Sequence, residues 1–306
     1  MIRSSFQPGL VHTPVTPFTR EHRVDFALYE RIIDFHLRNG ADALALPMHA
    51  GESVSLTDAE QRELTARAIR KVNGRVPVIA HVSDSGTSIA AARARHAEEA
   101  GAAAVIAAAP YYWTPPPAML LEHFARIGSA VRVPFLIYNA PDEMGGTRMT
   151  TDLALKLIDR LENFAGIVDA SLDWQFMIDV VYFARRARPQ WQLLTGTEYM
   201  VSARAIGTSG AFSPLAGIAP SLVRRLHDLC AREDFASARK VQEEIAALRR
   251  LLKNGGIAAL KAALRTMGRE CGEPRYPLMP LGEAERVALS EQLAALGPLR
   301  AEPRGW

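Results

Sequence analysis

Cysteine is nearly absent from this chain: Cys230 and Cys271 are the two in 306 residues, with no CxxC and no Cys/His ligand spacing. Neither a disulfide framework nor a sequence-local zinc site is expected, and a reducing cytoplasm fits best. No stretch of about 18 residues is apolar and free of charge, and Met1 to Pro8 has no apolar h-region, so neither a membrane span nor a secretory leader is expected. No Gly-x-Gly-x-x-Gly follows the first apolar run, which argues against a dinucleotide-binding doubly wound sheet. A dominant charge sign is missing too. The 36 basic and 33 acidic residues are interspersed on helical stretches such as Arg62 to Arg70, a solvated pattern that gives no footprint for nucleic acid. Lysine is scarce, with only Lys71, Lys156, Lys240, Lys253 and Lys261.

What is present is a repeated alternation. Short runs rich in Val, Ile and Ala alternate with amphipathic stretches of ten to twenty residues, the pattern of βα units around a parallel sheet. Strands are expected at Leu10 to Val15, Ala43 to Pro47, Val76 to His81, Ala103 to Ala108, Pro134 to Tyr138, Phe164 to Asp169, Gln192 to Thr195 and Gly210 to Ser213. Helices are expected at Asp25 to Arg38, Asp58 to Val72, Ser88 to Ala100, Pro117 to Ser129, Asp152 to Arg160, Trp174 to Arg186, Tyr199 to Ile206 and from Pro220 onward. Thr57 with Glu60 reads as a capping box, and Thr151-Asp152 and Ser171 stand where N-caps are wanted. Eight units is the closure number of a (β/α)8 TIM barrel, an α/β fold whose chemistry gathers at the carboxyl ends of the strands. Helical patterns at Phe235 to Leu252, Ile257 to Met267 and Glu283 to Leu293 add a C-terminal helical extension. No linker separates it, so one domain is expected, with residues 9–220 as barrel core and 221–306 as last barrel helix and extension.

The expected strand ends carry the chemistry. After the second strand comes Pro47-Met48-His49-Ala50-Gly51-Glu52-Ser53, either a simple βα turn or one that aims backbone N–H groups at an anion. After the fourth and fifth come Tyr111, Tyr112 and Tyr138, phenols that either relay protons or pack.

These segments resemble the dihydrodipicolinate synthase and N-acetylneuraminate lyase family. The likeness runs from about Gly9 to Leu281 through Thr16-Pro17-Phe18, Gly51-Glu52-Ser53 with Leu56-Thr57, Pro110-Tyr111-Tyr112, Tyr138-Asn139-Ala140-Pro141, Gly166-Ile167, Gly210-Ala211-Phe212-Ser213 and Pro274-Arg275-Tyr276-Pro277-Leu278. The resemblance implies a (β/α)8 lyase, an aldolase or dehydratase of small oxo or hydroxy acids; no metal or other cofactor is expected. Its sixth-strand lysine would form an imine with a 2-oxo acid such as pyruvate. It further implies Tyr138 as proton relay supported by Tyr112, and ligand contacts from His49, Ala50, Gly51, Glu52, Glu143, Asp169 and Phe212. The expected assembly is a homo-oligomer, dimer or tetramer, with Tyr111 crossing between subunits.

Three departures fall on that pattern. The sixth strand reads Gly166-Ile167-Val168-Asp169, and valine has neither nucleophile nor exchangeable proton, so Val168 at the lysine position is not competent. Paired threonines before Gly51 are replaced by His49-Ala50, and the family's second-substrate arginine matches Glu143. The five lysines fall on helical patterns or helix ends expected to face solvent or the extension. The remaining candidates are His49, His81, Glu52, Tyr112, Tyr138, Asp169 and Glu198. One reading is a lyase that has left the imine and works by acid–base chemistry through His49 and Tyr138. The other is a ligand-binding barrel without catalysis, with His81 and Asp169 bonding locally to loops. A metal on His49, His81 and a carboxylate has no local ligand motif behind it.

Overall fold

Mostly apolar runs of three to six residues are buried along their length, with Ala165 alone of the strand residues part-exposed, as strands of a parallel sheet covered by helices should be. The computed structural model describes residues 6–111 and 114–306. Strands β1 (Leu10–His12), β2 (Ala43–Leu46), β3 (Val78–His81), β4 (Ala104–Ala108), β5 (Phe135–Asn139), β6 (Phe164–Asp169), β7 (Gln192–Thr195) and β8 (Ala211–Ser213) close into a barrel in that order. In turn they are followed by helices α1 (Phe26–Arg38), α2 (Asp58–Val72), α3 (Thr87–Glu99), α4 (Pro117–Gly128), α5 (Thr151–Arg160), α6 (Trp174–Ala187), α7 (Met200–Ala205) and α8 (Pro220–Ala231). The extension is α9 (Phe235–Leu252), α10 (Gly256–Thr266) and α11 (Glu283–Ala295). The expected TIM barrel with a C-terminal helical extension is the fold observed.

The chain packs as two compact units, one of residues 6–9 and 77–212, the other of 10–76 and 213–306. In the first, β5, β6 and β7 lie in register, with Tyr138 beside Val168 and Val168 beside Leu194. Registered residues on parallel neighbours share a face, so Val168 and Tyr138 point to the same side. Gly166 is required where it stands, because a Cβ there would strike the Gln192 carbonyl. Rings of Phe124, Phe135, Phe164 and Trp191 follow one another at centroid distances of 6.4, 6.2 and 6.0 Å and fix the strands against their helices.

In the second unit the expected capping box opens α2: Thr57 accepts from the Glu60 N–H and Glu60 accepts from the Thr57 N–H. Two other expected caps are displaced by short distances. Thr150 caps α5, and Asp173 caps α6, two residues after Ser171, whose hydroxyl donates to Asp169 and accepts from the Asp173 N–H. The tail is tied down by two charged side chains. The Glu302 carboxylate accepts from the N–H groups of Ser221 and Leu222 at the start of α8, where the helix dipole favours an anion. Arg269, fully buried, donates to the carbonyls of Gly217, Ile218, Pro303 and Gly305.

Of the two settings expected for the lysines, solvent or the extension, Lys261 on α10 does not take the first; it is 3% exposed, with its ammonium 2.6 Å from Glu52 Oε1. The other four lysines meet water: Lys71 is partly exposed beside Asp34, and Lys156, Lys240 and Lys253 are exposed. No helix among the described residues is long and apolar enough to cross a membrane.

Candidate active site

Strand β5 delivers Tyr138 and Asn139 at its carboxyl end, and β6 delivers Val168 and Asp169 beside them. Tyr138 is buried, with its phenol hydrogen-bonded to the Glu143 carboxylate in the turn after β5. Burial, then the charges of Glu143, Glu198 and Asp169, hold that phenol well above its usual range, so it stays protonated and donates. Glu198, fully buried after β7, completes the group. Tyr138, Glu143 and Glu198 thus interact, Glu143 by a hydrogen bond, while Asp169, on the alternate face of β6, acts on the phenol only through its charge and least of the three carboxylates. The lone lysine of this unit is Lys156, exposed on α5.

Asp169 is committed to the fold. Its Oδ2 accepts from Asn139 Nδ2 at 2.5 Å, and its Oδ1 accepts from the Ser171 N–H and hydroxyl at 3.1 and 2.9 Å. Asn139 Oδ1 in turn accepts from the Met149 N–H at 3.0 Å. Burial pushes the Asp169 carboxyl up and these hydrogen bonds oppose it. The sequence names Asn139 only within the Tyr138–Pro141 motif and Ser171 only as an N-cap; a polar residue ending an apolar strand beside another strand's acid is the signal that could have found their bonds to Asp169. His81 is local as well, with Nε2 2.7 Å from Ser83 Oγ, which accepts from the Ala108 N–H. Phe212 is buried at 2% exposure in β8, while Tyr111 is 41% exposed. Burial, then the charge of Asp84, raises the Tyr111 phenol above its ordinary value. Tyr112 lies outside the described residues.

The second unit carries the turn after β2. His49 is exposed, Ala50 and Gly51 are buried, and all three sit in one 3₁₀ turn. Thr16 Oγ1 donates to the Gly51 carbonyl at 2.7 Å. Glu52 follows in the left-handed region at φ 55°, and its buried carboxylate accepts from the Arg275 N–H at 2.8 Å. Among the described residues no group of three or more His, Cys, Asp or Glu is placed to hold a metal ion, so nothing supports the His49–His81 metal reading.

In chemical terms, the group around Tyr138 offers a phenol held protonated and hydrogen-bonded to the Glu143 carboxylate. It can exchange protons with a bound hydroxyl or carbonyl compound.

Residues 7–296 match the model of the Dihydrodipicolinate synthetase family. A 4-hydroxy-tetrahydrodipicolinate synthase of Azoarcus sp. (strain BH72) is 32% identical over 295 residues, covering 94% of this chain and 98% of that protein. The crystal structure of dihydrodipicolinate synthase from Thermotoga maritima superposes with a TM-score of 0.90 at 26% identity, over 96% of this chain and 100% of that one. A chloride-inhibited dihydrodipicolinate synthase from Acinetobacter baumannii, solved in complex with pyruvate, gives 0.88 at 27% identity over 95% and 99%. With matches that span nearly its whole length in sequence and in fold, the chain belongs to the Dihydrodipicolinate synthetase family.

Proposed function

We propose that this chain is a lyase-type barrel that works without a Schiff base, binding a small hydroxylated or cationic carbonyl compound beside Tyr138 and exchanging a proton with it through Tyr138 and Glu143. The observation that carries the reading is Val168: buried, in register with Tyr138, and at the strand position where the family resemblance puts the lysine. The charges that Glu143, Glu198 and Asp169 exert on the phenol support the choice of ligand, because they disfavour an anion such as pyruvate and suit a cation or a donor-rich hydroxyl compound. On this reading Glu143 takes the phenolic proton while Tyr138 takes one from the ligand. Phe212 supplies apolar wall.

A thermal-shift screen of 2-oxo acids, sugars and amines tests it. At least one sugar or amine is expected to raise Tm by about 2 °C or more, the signature of a ligand well above its Kd. Glu143→Gln and Tyr138→Phe should each remove most of that shift. Stabilisation by simple oxo acids in preference to the others counts against the reading.

A second reading, binding without catalysis, is favoured by the closed hydrogen bonding of Asp169. Proton exchange between the stabilising compound and D2O, followed by NMR, separates the two; exchange faster with the protein than without it supports catalysis, and an unchanged rate supports binding alone. We read the chain as a cytoplasmic homo-oligomer, dimer or tetramer, with the part-exposed Tyr111 reaching across. Light scattering should give a mass of two or four chains, lowered by Tyr111→Ala; a monomer at micromolar concentration contradicts this.

A further inference from the structure

We propose that the C-terminal extension is a working part of the ligand site: Lys261 is a positioning residue that, through Glu52, sets the conformation of the turn at residues 48–55. For its functional consequence the proposal rests on reading the Gly51 turn as ligand-facing; its geometry and its test do not.

Helix α10 is apolar nearly all round, burying Ile257, Ala259, Leu260, Ala262, Ala263 and Leu264, and a helix of that kind has no solvated side for a lysine. Lys261 is buried with them, and its ammonium has three contacts. It lies 2.6 Å from Glu52 Oε1, donates to the Glu273 carbonyl at 3.2 Å and sits 4.3 Å from the centre of the Phe18 ring. The guanidinium of Arg275 lies 4.5 Å from the centre of the same ring. Arg275 also pairs with both oxygens of Glu60 and donates to the carbonyls of Ser55 and His22. The turn is thus held by its one buried carboxylate from α10 and by its last carbonyl from the segment after α10.

A buried ion pair adds little net stability over apolar side chains of similar volume, so stability alone does not account for a lysine here. What a buried pair does supply is registry: one ammonium fixes where one carboxylate must lie. Glu52 is in the left-handed region, which a glutamate adopts at a cost, and it separates the 3₁₀ turn His49–Gly51 from the one at Ser53–Ser55. The pair with Lys261 anchors the residue on which both turns pivot, and so fixes where the Ala50 and Gly51 backbone is presented.

Hydrogen exchange of the full-length protein tests this, read at the turn amides whose hydrogen bonds are local: Gly51 to Met48, Glu52 to His49 and Ser55 to Glu52. In Lys261→Met these amides should exchange at least about tenfold faster, and Tm should fall because the Glu52 carboxylate is left buried and unpaired. In the double variant Lys261→Met/Glu52→Gln, Tm should recover to near the wild-type value while the turn stays at least about tenfold less protected. A purely stabilising role predicts the reverse, with protection returning together with Tm, and that result overturns the proposal. So does a loss of protection in Lys261→Met no larger at the turn than in β4, β5 and β6. If the single variant fails to fold, the double variant, which carries no unpaired charge, decides alone.

Discussion

Val168→Lys is expected to give almost no borohydride-trapped pyruvate adduct on its own, and Val168→Lys/Glu143→Gln at least about tenfold more. A lysine at 168 would share the face of Tyr138, whose phenol feels the charges of Glu143 and Glu198. At an effective dielectric of about 20, two unit charges about 5 Å apart interact by ~3 kcal/mol, roughly a hundredfold in an equilibrium. That interaction acts twice against the imine. It holds the new amine as ammonium, which is not nucleophilic, and it repels the pyruvate carboxylate. Removing the charge at 143 relieves both and leaves the polar side chain in place. Labelling is read by mass after reduction. Full labelling of the single variant would mean that valine is the one obstacle and that the carboxylates do not select against anions.

The second large effect is on acid stability. Burial holds His36 down at about 3, helped by the Arg269 charge, and holds His123 down at about 4. His12 is also held well below its ordinary value, first by burial and then by His36, Arg224 and His227, with Asp42 opposing. The His12 and His36 Nδ1 atoms are 3.1 Å apart, a contact that needs one of them unprotonated, so a doubly charged pair loses the bond. Each histidine is neutral in the fold and charges freely when unfolded, so unfolding takes up protons below pH 6.5. The stability these groups contribute is complete above about pH 6.5 and is lost as pH falls towards their folded values. By pH 4 the loss is about 3 kcal/mol for His36 and similar for His123, against a typical total of roughly 5–15 kcal/mol. Urea unfolding at pH 7, 6, 5 and 4 should show a steep fall beginning below pH 6.5, with His123→Gln flattening it by about 1.4 kcal/mol per pH unit. A flat profile between pH 7 and 5 would show that these imidazoles are not buried neutral.

The strands and most helix limits were legible because burial on both faces and 3.6-residue periodicity are local properties. Phe164–Asp169, Gln192–Thr195 and Asp58–Val72 fall where the sequence puts them. Misses came at element ends. Ser171 lies two residues before the residue that caps α6 and bridges Asp169 to the Asp173 N–H, and β1 stops at His12 short of Pro14, which has no N–H for a ladder. In the site, Tyr138, Glu143 and Asp169 were legible as strand-end residues, but the engagement of Asp169 by Asn139 depends on a cross-strand register that no local pattern reveals. For Lys261 the sequence left solvent and the extension both open, because a charge on a helix usually reports a wet face. The contrary signal, apolar residues on every side of it from Ile257 to Leu264, was in the sequence.

The central claim, that this barrel has left imine chemistry, is tested most directly on the unaltered protein. Incubation with pyruvate and borohydride, followed by intact-mass measurement, should leave the chain unmodified, with a family synthase that forms the imine as positive control. A stoichiometric reduced pyruvate adduct on any lysine, Lys261 included, would contradict it.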